Sequence, residues 1–438
     1  MRVGIIGGGL MGIALAYFLA EAGEQVTVLE QGSELGGLNG ELQFEDGLSV
    51  ARYQHAIMPT DRRVLDLCRE LNLSSEIIFQ NVRTGFVHDR QIQPMANIRD
   101  FLTFPLLSLR DRIRLGNTIL RARGKGNWRE LDTLTAKKWL IEVGGTQAFE
   151  QIWRPLLDAK FDGVYDDVSA TYVWAWLNRM SAIRRVPKLQ GSVGYLRRGH
   201  YSLIKTLADR FLAHGGQVEV QVRVREIDVT GGQLQRIRTH TGTMEFDTLV
   251  AAVATPNFAR LIPGADESYL ARLDKSKYLG LICPVMVLDR PLSPYWTLNL
   301  TDPSVPFSTV IETPHPSSPD YHVVYLPRYI APENDWMGVS DDDIRAAWLH
   351  HLKPIFPDFN ESQIRHFAVS RSRYVEPVYH VNMLENMPAV QTPYEGLYLA
   401  NTAQVYPELA TSEAAIAQAR HVTNIVRQRR VTADAAMQ

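Results

Sequence analysis

The chain has 438 residues, more than one domain usually contains, which predicts two domains. With 21% charged residues and a formal net charge of −2, it lacks the basic field that attracts nucleic acid, and we expect no nucleic-acid partner. Its two cysteines, Cys68 and Cys283, form neither a CxxC metal motif nor a disulfide framework and favour a reducing cytoplasm. No apolar run reaches the roughly 20 residues that span a bilayer, so we expect no transmembrane segment.

The first thirty residues have the pattern of a strand, a helix and a second strand. Residues 2–6 and 25–29 are apolar runs of strand length. Residues 10–22 between them carry alanine, leucine and isoleucine at helical spacing, and Gly23 ends that helix. The sequence therefore predicts a βαβ unit at the start of the chain.

The turn between the first strand and the helix contains Gly7, Gly9 and Gly12. The first glycine permits a tight turn, the second lets the backbone approach a pyrophosphate, and the third lets the helix pack against the strand. The helix begins at Leu10 and Met11, where free N–H groups and the positive end of the helix dipole attract phosphate. These residues are predicted to hold a dinucleotide.

An acidic residue completes this pattern. Glu30 ends the second predicted strand, about 20 residues after the glycines, where a carboxylate binds ribose hydroxyls, and Gln31 follows it. A lone glycine motif is weak evidence, but a strand before it, a helix after it and this acid make it specific. The sequence predicts a Rossmann-like nucleotide-binding domain.

A second glycine pair extends the motif. Gly36 and Gly37 lie in the stretch EQGSELGGLNG, and the combination resembles the flavin amine oxidase superfamily, which includes protoporphyrinogen oxidases, phytoene desaturases and UDP-galactopyranose mutases. The resemblance implies FAD as cofactor and an FAD-binding domain of the glutathione-reductase type. Many relatives have an arginine after the pair, whereas this chain has Leu38 and Asn39, so that charged contact is not expected here.

Two later stretches extend the resemblance along the chain. GYLRRGHYSLIKTLADRFLAHGGQVEVQVRVREIDVTGG predicts a helix over 201–213 and strand structure over 218–229. It resembles the second segment of the cofactor domain, which implies that the backbone near Val222 and Val224 contacts the adenine side of FAD. Residues 247–254 then predict a buried strand that returns to this domain.

The last such stretch starts at Gly396. It predicts a strand over 397–400, then Asn401, and a helix that Thr411 and Ser412 cap. Relatives place the N-terminus of this helix against the flavin pyrimidine ring. They usually carry an acid where this chain has Asn401, so the resemblance implies an uncharged contact with the ribityl chain.

The remaining sequence predicts two interleaved domains. We assign residues 1–80, 193–258 and 388–430 to a discontinuous FAD-binding domain and residues 81–192 and 259–387 to a substrate-binding domain. The first insertion is expected to be largely helical and the second rich in strands. Residues 431–438 are predicted to be a loose tail. The expected fold class is α/β, a Rossmann-like FAD domain interleaved with an α+β substrate domain.

Three residues are catalytic candidates. His55 matches a position where several relatives direct a histidine or an aromatic ring towards the flavin, and a loop histidine bonded to backbone is an equal alternative. Arg154 and Lys160, in WRPLLDAKFDG, are candidates for directing a cation at a substrate carboxylate or the flavin. The favoured alternative is a solvated helix face or a local Arg154–Asp158 pair.

A different signal lies in residues 104–125. Leu106, Leu109, Ile113 and Leu120 fall on one helical stripe with arginines on both flanks. Such a helix can lie in a membrane surface and pass an apolar substrate to a tunnel. The favoured alternative is that the stripe packs on its own domain, so peripheral membrane contact stays open beside a cytoplasmic location.

Three functions fit these motifs. We expect an FAD-dependent oxidoreductase, an oxidase or dehydrogenase, that takes a hydride from a small or apolar substrate onto flavin N5. The alternatives are a non-redox isomerase resembling UDP-galactopyranose mutase and a non-catalytic binding protein of the same fold, like the Rab escort relatives. The intact glycines and Glu30 argue against the binding protein, and the oxidoreductase is favoured because it is the commonest function of the fold. No metal site is predicted, and the sequence determines neither the substrate, the electron acceptor nor the oligomeric state.

Overall fold

The computed structural model describes residues 1–95, 99–100, 103–105, 107–124, 127–182, 191–316 and 318–436. The strands are β1 (Arg2–Ile6), β2 (Gln25–Leu29), β3 (Glu41–Gln43), β4 (Ser49–Ala51), β5 (Ile77–Val82), β6 (Thr84–His88), β7 (Gln91–Pro94), β8 (Gly191–Leu196), β9 (Gln217–Glu219), β10 (Val224–Asp228), β11 (Arg236–Thr239), β12 (Thr243–Met244), β13 (Thr248–Ala251), β14 (Tyr278–Leu288), β15 (Thr297–Leu300), β16 (Thr309–His315), β17 (Ser318–Tyr325), β18 (Arg328–Ile330), β19 (Ile364–Pro377) and β20 (Leu397–Leu399). The longer helices are α1 (Leu10–Glu21), α2 (Arg62–Glu70), α3 (Leu109–Gly124), α4 (Ala136–Gly144), α5 (Arg154–Phe161), α6 (Ala170–Ala182), α7 (Tyr201–Ala213), α8 (Thr255–Leu261), α9 (Glu267–Leu273), α10 (Asp341–Leu352) and α11 (Ser412–Ala436).

A parallel sheet of five strands carries the predicted βαβ unit. Its order is β20-β13-β1-β2-β9, and every neighbouring pair is parallel. Helix α1 follows β1 as predicted, and all its residues from Leu10 to Ala20 are buried because α7 and α11 also pack against it. A helix enclosed in this way is apolar on all sides, which explains its uniformly hydrophobic sequence.

The second large sheet has eight strands. Its main path is β18-β14-β17-β16-β15-β6-β7, and β19 pairs with β14 outside that path. All residues of β14 are buried, since this strand pairs with β17, β18 and β19. The second insertion, residues 259–387, is rich in strands as expected, because it supplies β14 to β19. The first insertion is mixed, because β6 and β7 join this sheet before helices α3 to α6 form a core of their own.

The two sheets follow the proposed division of the chain. The five-stranded sheet draws its strands from the segments assigned to the FAD domain, and the eight-stranded sheet draws its strands from the two insertions. The antiparallel ribbon of β5 and β8 lies where the first insertion begins and ends. We keep two interleaved domains as a proposal on this basis.

Two local expectations need correction. The strand predicted over 218–229 is divided into β9 and β10, because Gln221 has a positive φ of 59° and turns the chain towards Glu30. The predicted loose tail is helical as far as Ala436, since α11 continues through it.

Candidate functional site

A cleft of about 650 Å³ opens at the carboxyl ends of four parallel strands. It is lined by Gly7 after β1, Glu30 after β2, Ala252 after β13 and Asn401 after β20. We call it the nucleotide cleft. In open parallel sheets, ligands bind beyond the carboxyl ends of the strands, so the topology alone marks this cleft as a binding site. Leu10, Met11, Gln31, Leu38 and Asn39 also line it.

The three glycines of the first turn are required for different reasons. Gly7 has φ +104°, and a Cβ atom there would lie 2.7 Å from the carbonyl oxygen of Ala252. A Cβ on Gly12 would lie 1.9 Å from the carbonyl oxygen of Gly7. At Gly9 the nearest atom is the carbonyl oxygen of Gly36, 4.0 Å away. The fold itself therefore requires Gly7 and Gly12, whereas Gly9 leaves open space in which a pyrophosphate fits against the backbone.

Glu30 is held at the end of β2 by backbone donors. Its carboxylate accepts hydrogen bonds from the N–H of Gly8 at 2.8 Å and of Gly32 at 2.7 Å. The N–H of Val222 donates to the carbonyl of Glu30 at 2.9 Å, which places this backbone beside the acid. Val224 instead packs in the core below, and neither valine lines the nucleotide cleft. Adenine contacts by the two valines stay a prediction.

The second glycine pair docks on the first glycine turn. The N–H of Gly36 donates to the carbonyl of Gly8 at 2.8 Å, and a Cβ on Gly37 would lie 3.2 Å from Cα of Gly9. Both glycines have positive φ, 121° for Gly36 and 54° for Gly37. The two glycine motifs, separate in sequence, thus lie side by side, and Gly7, Gly9 and Gly37 line the nucleotide cleft.

Asn401 is fully engaged by the protein. Its Nδ2 donates to the carbonyl of Val253 at 3.0 Å and to Oγ1 of Thr255 at 3.1 Å, while its Oδ1 accepts from the N–H of Ala403 at 3.0 Å. A carboxylate at this position has no proton for the carbonyl of Val253. This contact gives a physical reason for an amide where relatives carry an acid.

Helix α11 begins between the nucleotide cleft and a second cavity. Oγ1 of Thr411 accepts the N–H of Ala414 at 3.3 Å, so Thr411 caps the helix as predicted, whereas Ser412 is its first residue. Ser412 Oγ contacts Nε2 of His200 at 3.2 Å. Thr411 lines the second cavity and Ala415 lines the nucleotide cleft. The first turn of α11, and with it the positive end of the helix dipole, therefore lies between the two spaces.

The second cavity has a volume of about 350 Å³ and mainly apolar walls. We call it the aromatic cavity. Trp153 and Trp176 meet edge to face in its wall with ring centroids 5.9 Å apart. Other residues that line it are Leu156, Leu157, Tyr172, Met180, Tyr329 and Leu409. Walls of this composition suit an apolar or conjugated molecule.

One partly buried ion pair lies in this wall. Lys160 Nζ is bonded to Glu376, and it lies 3.4 Å from the centroid of the Tyr329 ring. The hydroxyl of Tyr172 donates to the other oxygen of Glu376 at 3.1 Å. Burial lowers the pKa of Lys160, but attraction to Glu376 and Tyr329 outweighs it and the pKa is raised overall. The lysine is a cation whose charge is neutralised by its neighbour.

The two other catalytic candidates, Arg154 and His55, do not line the aromatic cavity. Arg154 lies at the surface with 56% of its side chain exposed, pairs with Glu150 at 2.7 Å and Asp158 at 3.8 Å, and lines neither space. This is the arrangement that the alternative interpretation predicted. Its physical reason is that α5 turns the arginine outward and Lys160 inward.

His55 lies in a small cavity of about 60 Å³ that His200 and Glu41 also line. It stacks on His200 with centroids 4.7 Å apart, and its Nε2 lies 3.2 Å from the carbonyl of Leu38. The same Nε2 lies 3.4 Å from Nδ2 of Asn39, so it donates to the Leu38 carbonyl in one tautomer and accepts from Asn39 in the other. Burial lowers the pKa of His55 to about 4, so the ring is neutral at pH 7. A contact with flavin or substrate stays a prediction.

The sequence analysis missed several residues of these cavities. Trp153 begins the stretch WRPLLDAKFDG and Tyr195 and His200 lie in GYLRRGHYSLIK, yet no role was predicted for them, and Glu376 belongs to no motif. A glutamate in a strand and a tryptophan in a helix have no local pattern that distinguishes a cavity wall from a core. Only the packing of β19 against α5 brings Glu376 to Lys160.

The parallel sheet, the two glycine motifs and the acid after β2 define a dinucleotide-binding protein. Comparison of the sequence with known protein families identifies one family within this class. The chain belongs to the family of flavin-containing amine oxidoreductases, which matches residues 10–426. It is an FAD-dependent oxidoreductase, and the open backbone at Gly9 fits that cofactor.

Individual relatives are similar over nearly the whole chain. A 15-cis-phytoene desaturase of Synechococcus elongatus is 24% identical, with 95% of this chain and 94% of the relative covered. A zeta-carotene desaturase of Synechocystis sp. is 22% identical, with 97% of each chain covered. The crystal structure of a proposed protoporphyrinogen oxidase from Exiguobacterium sp. 255-15 superposes with a TM-score of 0.76 at 19% identity, covering 98% of this chain and 99% of the other, which shows the same fold.

Proposed function

We propose that the protein removes a hydride from a C–H bond of an apolar substrate in the aromatic cavity. The observation that carries the proposal is the position of this cavity, because Thr411 in its wall and Ala415 in the wall of the nucleotide cleft lie one turn apart on α11. FAD bound in the cleft supplies the hydride acceptor, N5 of the flavin ring. The named relatives act on phytoene and zeta-carotene, which supports an apolar substrate for this chain as well.

The chain's own residues bind the substrate and exclude water. Each CH₂ group that leaves water for these walls gains about 0.8 kcal/mol, and the paired indole rings of Trp153 and Trp176 offer flat surfaces to a conjugated chain. Lys160 and Glu376 together add no net charge to the wall. We assign Lys160 a positioning role, because its charge is committed to Glu376.

Anaerobic reduction tests this proposal. The FAD-loaded protein is mixed without oxygen with amines, porphyrinogens, polyenes and nucleotide sugars, and loss of the visible flavin band is followed. We expect a polyene or another apolar compound to bleach the flavin. Conversion of a nucleotide sugar by the reduced protein, without net bleaching by any compound, would establish the isomerase instead.

Paired leucine substitutions locate the reaction. Leu156→Arg places a charge in the wall of the aromatic cavity, and we expect flavin reduction to fall at least tenfold because the substrate then loses apolar contact. Leu212→Arg makes the same change on the outer side of α7, where the leucine is 49% exposed, and we expect an unchanged rate. Equal rates in the two variants would contradict binding in this cavity.

We also propose a peripheral membrane contact through α3. Leu109 and Ile113 are 62% and 58% exposed, whereas Leu115 packs into the helical core from another side of the helix. The stripe therefore does not pack on its own domain at these two positions. Leu106 and the side chain of Leu120 lie outside the described residues. Across the part of the chain that the structure describes, we find no helix that combines the length and apolar character required to cross a bilayer.

A further inference from the structure

Arg52 brings a positive charge to the nucleotide cleft from outside the glycine motifs. It follows β4 directly, and the pairing of Ala51 with Glu41 in the β3–β4 hairpin places it opposite Gly40. Its N–H accordingly donates to the carbonyl oxygen of Gly40 at 3.0 Å. The side chain is exposed and lines the nucleotide cleft, so a ligand in the cleft can reach its charged end.

The guanidinium of Arg52 lies beside the second glycine turn. A Cβ atom on Gly40 would lie 3.4 Å from Nε and 3.6 Å from Cζ of the arginine, and 3.2 Å from the carbonyl oxygen of Gly37. Gly37 in turn lies against Gly9, where a Cβ atom would have no neighbour closer than 4.0 Å. Two successive contacts thus connect the guanidinium with the open backbone at Gly9.

The protein engages one nitrogen of this guanidinium. Nε donates to the carbonyl oxygen of Glu41 at 3.1 Å, which orients the group. Among the described residues, no carboxylate forms an ion pair with Arg52, and no hydrogen bond involves its Nη1 or Nη2. The N–H groups of these two terminal nitrogens are therefore free to bind a ligand.

The other charged side chains of the cleft wall differ from Arg52. Arg371 also lines the cleft, but its guanidinium pairs with Asp341 at 2.6 Å. Glu30 and Glu34 are acids of the same wall. In the part of this wall that the structure describes, Arg52 is thus the cation without a carboxylate partner.

A pyrophosphate in this cleft requires such a cation. The N-terminus of α1 offers N–H groups and the positive end of a dipole, which amounts to about half an elementary charge. The two acidic side chains in the wall oppose an anion. An arginine forms paired hydrogen bonds with phosphate oxygens and stays protonated throughout the physiological pH range.

We infer that Arg52 binds the pyrophosphate of FAD through its two terminal nitrogens. The inference concerns the cofactor and is independent of the substrate proposed above. Residues 38 and 39, directly after the glycine pair, are uncharged. The charged contact therefore comes from a hairpin that adjoins the glycine turns in space.

Titration of the full-length protein with FAD, after removal of the bound cofactor, tests the inference. Quenching of flavin fluorescence gives the dissociation constant. Loss of a hydrogen-bonded cation predicts that Arg52→Gln binds FAD about 10- to 100-fold more weakly, whereas Arg52→Lys, which keeps the charge, should lose about threefold. Equal FAD affinity in Arg52→Gln and the unmodified protein overturns the inference.

Arg365→Gln is the matched control for the loss of charge. Arg365 is exposed on β19 and lines neither the nucleotide cleft, the aromatic cavity nor the small cavity around His55. We expect the dissociation constant of this variant to equal that of the unmodified protein. A loss as large as that in Arg52→Gln would show a general effect of surface charge and overturn the inference.

Ligands that contain only part of FAD locate the contact. Calorimetry measures the binding of ADP, which contains both phosphates, and of adenosine, which contains none. We expect Arg52→Gln to weaken ADP binding by the same factor as FAD binding and to leave adenosine binding unaffected. An equal loss for adenosine would show that the substitution deforms the cleft, and an unchanged affinity for ADP would place the arginine at the flavin; either result overturns the inference.

Discussion

Gly9 allows the needs of the fold and those of the cofactor to be separated by one substitution. Its backbone has φ −69° and ψ 177°, which valine adopts readily, and a Cβ atom there has no neighbour closer than the carbonyl oxygen of Gly36 at 4.0 Å. We therefore expect Gly9→Val to change the free energy of unfolding of the apoprotein by less than about 1 kcal/mol.

The expected effect of the same substitution on FAD is much larger. The valine methyl groups fill the open space above the glycine turn, where the pyrophosphate approaches the backbone. A hydrogen bond to a charged group contributes about 1.5–3 kcal/mol, so the loss of two N–H contacts with phosphate costs about 3–6 kcal/mol. This corresponds to FAD binding weaker by about 10²- to 10⁴-fold.

The assay combines FAD content with the stability of the apoprotein. FAD is released by heat and quantified by chromatography, and thermal unfolding is measured after FAD removal. Gly23→Ala is the control, since Gly23 has φ +87° and open space around it, away from the nucleotide cleft. That variant should lose about 1–2 kcal/mol of stability and keep its FAD.

Two results would refute this reasoning. Stoichiometric FAD in Gly9→Val would show that the cofactor does not approach this backbone. An apoprotein destabilised as strongly as Gly12→Val, whose Cβ would lie 1.9 Å from the carbonyl oxygen of Gly7, would show that the space at Gly9 is not open.

The remaining predictions concern the membrane contact, the partly buried ion pair and the buried histidine. Replacing the exposed Leu109 and Ile113 by serine should abolish co-sedimentation of the protein with anionic liposomes at low salt. High salt should release the unmodified protein from the liposomes, because it screens the charge attraction. If the unmodified protein does not bind at low salt, the proposed contact is contradicted. Lys160→Met should destabilise the protein by about 1–3 kcal/mol in denaturant unfolding, because the partly buried Glu376 loses its cation and keeps the hydroxyl of Tyr172. A second change, Glu376→Leu, should restore most of the loss, and an unaffected single variant would refute the pairing. The pKa of His55 is about 4 in the folded protein, below its ordinary value of about 6.5. The free energy of unfolding should therefore fall by about 2 kcal/mol as the pH drops from about 7 to about 5, because the unfolded protein then binds the proton more readily. His55→Phe should remove that share of the loss, which denaturant unfolding at both pH values measures.

The cofactor-binding part of the molecule could be predicted from the sequence. Gly7, Gly9, Gly12 and Glu30 lie within one βαβ unit, and each answers to a constraint that acts over a few residues: a turn, a close approach, a helix contact or the end of a strand. The cap of the last helix by Thr411 is equally local. Hydrophobic periodicity and turn chemistry are enough to recognise such features.

The substrate side depended on tertiary structure. Lys160 and Arg154 lie on one short helix with similar local patterns, yet α5 directs one towards Glu376 inside the cavity and the other into solvent. Trp153 and Glu376, which line the same cavity, come from distant segments, and no spacing in the sequence relates them. The physical reason is that a cavity wall forms from side chains joined only by the packing of separate elements, whereas a phosphate-binding turn is formed by backbone that is continuous in the chain.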